Sequence, residues 1–245
     1  MGKKQGAGAP AWDERDEALW ATAEIGLLLA QGRIGERRPA GTPFAPTLAP
    51  GEECVYAFSS FALHDYRAPG DGSYLHNSGT VLAVGRGAVP LMLGAAVGQA
   101  MGNASRRKRA AAMAQPQWMQ IDGGTLSVGS HGFYLHTPTS LLAWGWGSIS
   151  LMTLVGPGHV QLMGDSQNGP VNWILQSNLA ELVFLLWATA RHPRHEQLIG
   201  RAWLPQEWVD KVRRRDLATA TPGRGFQHMA EQLMLEQAKG WPGRA

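Results

Sequence analysis

The chain has 245 residues, 44% of them hydrophobic and only 17% charged, with a formal net charge of +3; it is long enough for one well-buried domain with appendages. Cys54 is its only cysteine, which excludes an intramolecular disulfide and a cysteine zinc cluster. No Lys or Arg occurs between Ala110 and Ala190, so the basic residues form local patches and not a field over the whole protein.

The opening MGKKQGAGAPAWDERDE runs into acids where a secretion signal needs an apolar core, and Gly6 breaks the myristoylation pattern. The expectation is a cytoplasmic chain. Residues 12–31 read as a helix: Asp13 is a suitable cap, acids crowd the first turn, and Leu19, Ala23, Leu27 and Ala30 recur at helical spacing. The Gly- and Pro-rich GERRPAGTPFAPTLAPGE then breaks the helix. Residues 1–45 are accordingly an N-terminal helix and linker, with the helix expected to dock on the main domain.

From Glu53 to Gln176 short strands alternate with punctuated turns. CVYAFSSFALHDYR and SYLHNSGTVLAV flank the APGDG turn; GTLSV, FYLHT, LLAWGW, ISLMTLV, HVQLM and PVNWILQ follow. Between the second and third of these strands lies VPLMLGAAVGQAMGNASRRKR. Pro90 suits the first turn of a helix over about 90–113. Gly94, Gly98 and Gly102, four residues apart, weaken such a helix unless its backbone presses close to a neighbour, so they are read as a packing seam. Arg106, Arg107, Lys108 and Arg109 are then its solvated C-terminal end, where cations favour the helix dipole. The apolar run from Gly87 to Gly102 falls short of the ~20 residues a membrane span needs. Lying flat on a bilayer, with the basic cluster meeting anionic headgroups, stays open.

SNLAELVFLLWATARHP closes the strand run as an amphipathic helix, with Leu179, Leu182, Val183, Leu186 and Trp187 as its apolar stripe. Residues 46–192 are the domain, and 193–245 a tail with helical stretches at about 205–216 and 225–239.

The order of strands and closing helix, with GGTLSVGSHGFYLH and WGWGSISLMTL, resembles bacterial PH-like and GRAM-like domains. The pattern SGTVLAVG…GN…RRKR…QW is similar to that of actinobacterial proteins of PH-like type. The resemblance covers about residues 50–192. It implies an α+β fold: a strongly bent antiparallel sheet or partly open barrel capped by a C-terminal helix. To this the present chain adds an inserted helix and flanking helices at both termini. Members of the superfamily that bind phosphoinositides use Lys and Arg around the first hairpin. Here that region, His64 to His76, has only Arg67, with Asp65 and Asp71 nearby, which shifts weight to a protein partner.

Catalytic motifs are absent: no Walker A sequence, no G-x-S-x-G elbow, no H-E-x-x-H. Cys54, near a strand start, reads as a small buried hydrophobe. His64, His76, His131 and His136 have no close ligand spacing toward a metal. Neither a catalytic site nor a cofactor is expected. Trp144 and Trp146 share one side of a strand; facing out they make an aromatic binding patch, facing in they are core, and the inward orientation is favoured. Four basic residues without a DNA-binding motif give no base readout, so nucleic acid is not an expected partner. The sequence therefore reads as a non-enzymatic interaction module for a protein partner or a second copy of itself. A peripheral membrane adaptor working through residues 87–109, and an enzyme with dispersed residues such as His64, Asp65 and His136, are the alternatives.

Overall fold

The computed structural model describes residues 11–53, 55–68 and 114–219, together with positions 108, 111, 229, 231–233, 235 and 236. Two compact units emerge, one formed by Met1–His64 with Gln120–Ala245, the other by Asp65–Met119.

Helix α1 spans Glu14–Ala30. Asp13 caps it: its carboxylate accepts the Asp16 N–H at 2.9 Å, and the Asp16 carboxylate accepts the Asp13 N–H in return, also at 2.9 Å. This reciprocal pairing satisfies two amides that the first turn leaves open.

Seven strands follow: β1 (Val55–Arg67), β2 (Gln117–Gly129), β3 (Gly132–His136), β4 (Leu141–Gly145), β5 (Ile149–Gly156), β6 (His159–Ser166) and β7 (Gly169–Ser177). They form one antiparallel sheet in the order β4-β3-β2-β1-β7-β6-β5, strongly curled into a half-barrel. Its edges are β4 and β5. The segment 73–84, read from sequence as a strand, lies outside the described residues, as does most of the expected 90–113 helix. Strand β2 starts well before the GTLSV core, running straight through Asp122-Gly123-Gly124. That triplet resembles a turn in sequence. In the sheet Gly124 is there for clearance, since a Cβ on it would stand 2.0 Å from the His136 carbonyl oxygen.

The concave face carries Leu126, Val128, Phe133, Leu135, Met152, Val160, Leu162 and Leu175, all buried. Against it packs helix α2 (Ala180–Arg191), which touches β3, β5, β6 and β7. Every residue of α2 from Ala180 to Ala188 is buried. The sequence predicts a one-sided stripe, yet the helix is enclosed all round because α1 covers the side away from the sheet. Gly26 of α1 makes that approach close; a Cβ there would lie 2.7 Å from the Trp203 ring and 3.4 Å from Leu185. Each buried Leu, Val or Phe side chain of α2 contributes about 1.5–3 kcal/mol by leaving water.

After α2 the chain makes the short helix α3 (Glu196–Ile199) and then α4 (Gln206–Thr219). Helix α4 returns to α1: Lys211 pairs with Asp16, and the Arg215 guanidinium lies over the Trp12 ring at 4.2 Å. Further along, Met229 and Leu233 are helical and buried. In the Asp65–Met119 unit, the Tyr66 and Trp118 rings pack at 5.4 Å and both are exposed. No described helix is long and apolar enough to cross a membrane.

Candidate interaction surfaces

A curled sheet with two open ends to its ladder has two rows of outward-facing backbone groups to satisfy, and the chain treats them differently. At β5 they are met by side chains. The Trp187 indole N–H donates to the Ile149 carbonyl at 3.2 Å. His195 hydrogen-bonds the Met152 backbone while its Nδ1 accepts the Gln197 N–H at 3.2 Å. Gln197 then takes both groups of Leu154: its Oε1 accepts the Leu154 N–H, and its Nε2 donates to the Leu154 carbonyl, each at 2.9 Å. Burial foremost, then the neighbouring His192, holds the His195 pKa below its ordinary 6.5, as expected of an imidazole ringed by Phe184 and Trp187.

At β4 the ladder to β3 is closed by the Thr137 N–H to Ser140 carbonyl bond at 2.8 Å and the Trp146 N–H to His131 carbonyl bond at 2.9 Å. With Leu135↔Leu142 and Phe133↔Trp144 in register between them, these are the hydrogen-bonded pairs. Alternation therefore turns the N–H and C=O of Leu141, Ala143 and Gly145 outward. Among the described residues nothing bonds to those groups of Leu141 and Ala143. Leu141, Leu142 and Ala143 are all exposed, and the strand carries no charge.

The outer face of β2 and β3 is covered by the Pro-rich segment before β1, which lies over it as a strap. Phe44 packs on Tyr134 at 5.0 Å between ring centroids. The fully buried Tyr134 hydroxyl donates to the Glu52 carboxylate at 2.5 Å and accepts the N–H groups of Thr47 and Leu48 at 2.8 and 3.0 Å. Burial first, and the Glu52 carboxylate next, push the phenol pKa up from its ordinary 10.0. Among the described residues the outer face of β5 and β6 has no such cover: Leu151 and Met163 sit opposite each other and are 47% and 39% exposed.

At the sheet's rim, Arg15 of α1 reaches Glu181 in the first turn of α2 at 2.6 Å. Glu181 is only 1% exposed and also accepts the Gly158 N–H at 2.8 Å. The positive end of α2 assists that carboxylate. Beside the pair lies a cavity of about 520 Å³, lined by Arg15, Ser60, Gln120, His159, Gln176 and Asn178 among others.

The sequence-derived candidates separate clearly. Trp144 and Trp146 face inward: they are 6% and 5% exposed, with Phe133 stacked on Trp144, Trp173 edge-on to it, and the Trp146 indole N–H donating to the Ser130 carbonyl at 2.8 Å. As a binding patch they are corrected to core. Lys108 is helical and exposed. Gly94, Gly98, Gly102, Arg106, Arg107 and Arg109 lie outside the described residues, as do Cys54 and His76. His64, in β1, is half-buried, and His136 is exposed at the end of β3. Among the described residues no three His, Cys, Asp or Glu side chains gather as a metal would need.

Gln197, Glu52 with Tyr134, and Arg15 with Glu181 went unnoticed in the sequence. Only Glu181 leaves a trace there, as the one acid of the closing helix. A glutamine in a polar tail leaves none.

These features define an α+β chain with a half-barrel sheet closed by a buried helix, one edge sealed by side chains and the other open among the described residues. Comparison with protein-family models, with curated proteins and with solved structures returned no match.

Proposed function

We propose that this chain is a non-enzymatic interaction module built on a PH-like sheet, and that it binds a protein partner by strand addition at β4. The observation that carries the reading is the contrast between the two edges. Three side chains from α2 and its following segment close β5, whereas among the described residues nothing pairs with the outward backbone groups of Leu141 and Ala143 on β4, beside exposed Leu141, Leu142 and Ala143. Unprotected edges are templates for another strand, and proteins ordinarily blunt them with charge, proline or cover. β4 has none of the first two. The partner's chemistry follows from the strand: an extended, uncharged segment whose main chain supplies the hydrogen bonds and whose alternate residues are apolar. The curled seven-stranded sheet closed by a helix supports the PH-like part of the reading.

The test is a selection from a displayed library of random octapeptides against the purified chain. Enrichment of alternating apolar sequences, lost when the selection is repeated on Ala143→Pro, supports the module. Proline removes the outward N–H while leaving the β3 side of the ladder intact. Sequences that enrich equally on the variant, or no enrichment by a chain that is monomeric at the selection concentration, overturn it.

A further inference from the structure

Resting on that reading, we infer that the occupant of the β4 edge is the β4 strand of a second copy, paired antiparallel about a two-fold axis through Ala143. The register is dictated by which groups face outward. A closely bonded antiparallel pair needs two residues that both direct N–H and C=O across the gap. On β4 these are Leu141, Ala143 and Gly145. Identical strands in antiparallel order satisfy the rule when Ala143 meets Ala143 and Leu141 meets Gly145, so every outward group of the strand finds its complement.

The side chains agree with the same axis. On the concave face Leu142, at the rim, is set opposite Trp144 of the second copy, in the non-bonded kind of pair where side chains approach most closely. On the convex face the small Ala143 meets itself, and Leu141 meets a glycine. The strand has no charge, so the two-fold brings no like charges together. An isologous contact of this kind closes after two copies and does not propagate, because the other sheet edge, β5, is occupied by Trp187, His195 and Gln197. Two half-barrels would thus share one continuous ladder.

Sedimentation velocity over a hundredfold range of concentration reads the oligomeric state. The wild type is expected to double in mass, and hydrogen exchange at the Leu141 and Ala143 amides to slow at least tenfold between the dilute and concentrated ends. Ala143→Pro removes the axial N–H pair, and Ala143→Lys sets two cations against each other at the axis. Both are expected to raise the dimer dissociation constant at least tenfold. Ala143 is exposed, so both variants are expected to fold, which circular dichroism checks. A wild type that stays monomeric, or a dimer indifferent to both substitutions, overturns the inference. A monomeric wild type that still selects octapeptides at β4 overturns the second copy alone and leaves the module standing; failure of both measurements sinks both.

Discussion

The side-chain amide of Gln197 pairs with both backbone groups of Leu154, so one residue of a helical turn stands in for a missing neighbouring strand. A primary amide has the same donor–acceptor geometry as a peptide group, which is why glutamine can cap an edge in this way.

Replacing Gln197 by Ala leaves the Leu154 N–H and C=O facing outward without partners. The expected loss is about 1–2 kcal/mol, read as a lower urea midpoint with unchanged slope. The variant should also self-associate through β5, giving species larger than a dimer in sedimentation. Wild-type hydrodynamics in the variant would show the seal to be dispensable.

His195 makes stability depend on pH. Its folded pKa is lowered, chiefly by burial, so the unfolded chain takes up the proton first on acidification. The contribution is fully present above the ordinary 6.5 and is lost as pH falls below it toward the folded value. Urea unfolding between about pH 8 and about pH 5 should show stability falling through the acid half of that window, with a smaller fall in His195→Gln. An identical fall in wild type and variant would assign the effect elsewhere.

Tyr134→Phe removes a hydroxyl that satisfies one carboxylate and two amides at once. With those groups buried, about 2–3 kcal/mol of stability should be lost, and the strap at 37–52 should become a site of limited proteolysis. In the wild type the phenol pKa is raised, so its contribution holds below 10 and disappears as pH climbs past that value. Ultraviolet titration should place one tyrosinate later than the others.

Arg15→Ala strands Glu181 in a nearly dry site. Removing one partner of such a pair costs more than the pair itself contributes, here about 2–3 kcal/mol with the Gly158 N–H and the α2 terminus still in place. Arg15→Ala combined with Glu181→Gln should recover much of the loss in thermal melts. No recovery in the double variant would mean that the pair acts through packing and not charge.

Much of the fold is legible in the sequence, for reasons visible in particular residues. Asp13 with Asp16 marks the start of α1, and Leu126 and Val128, alternating with polar neighbours, mark the inner face of β2. The run Leu182 to Trp187 announces the closing helix. The path of β2 through Gly123 and Gly124 was hidden, because glycine signals a turn in sequence and a close strand contact in the sheet. Strand alternation alone does not fix the side of Trp144 and Trp146, because Leu142 shares their parity; the inward orientation that the sequence favours is the one the structure has.

By itself the sequence determined the antiparallel strand series, the helix that ends it and the lack of Lys and Arg between Ala110 and Ala190, since these depend on local periodicity and composition. Only the tertiary structure decided which strands became the edges and what meets them. Gln197 lies 43 residues from Leu154, Glu181 lies 166 from Arg15, and Tyr134 lies 82 from Glu52. Contacts over such separations are made by the packing of whole elements, and no local pattern of residue types encodes them.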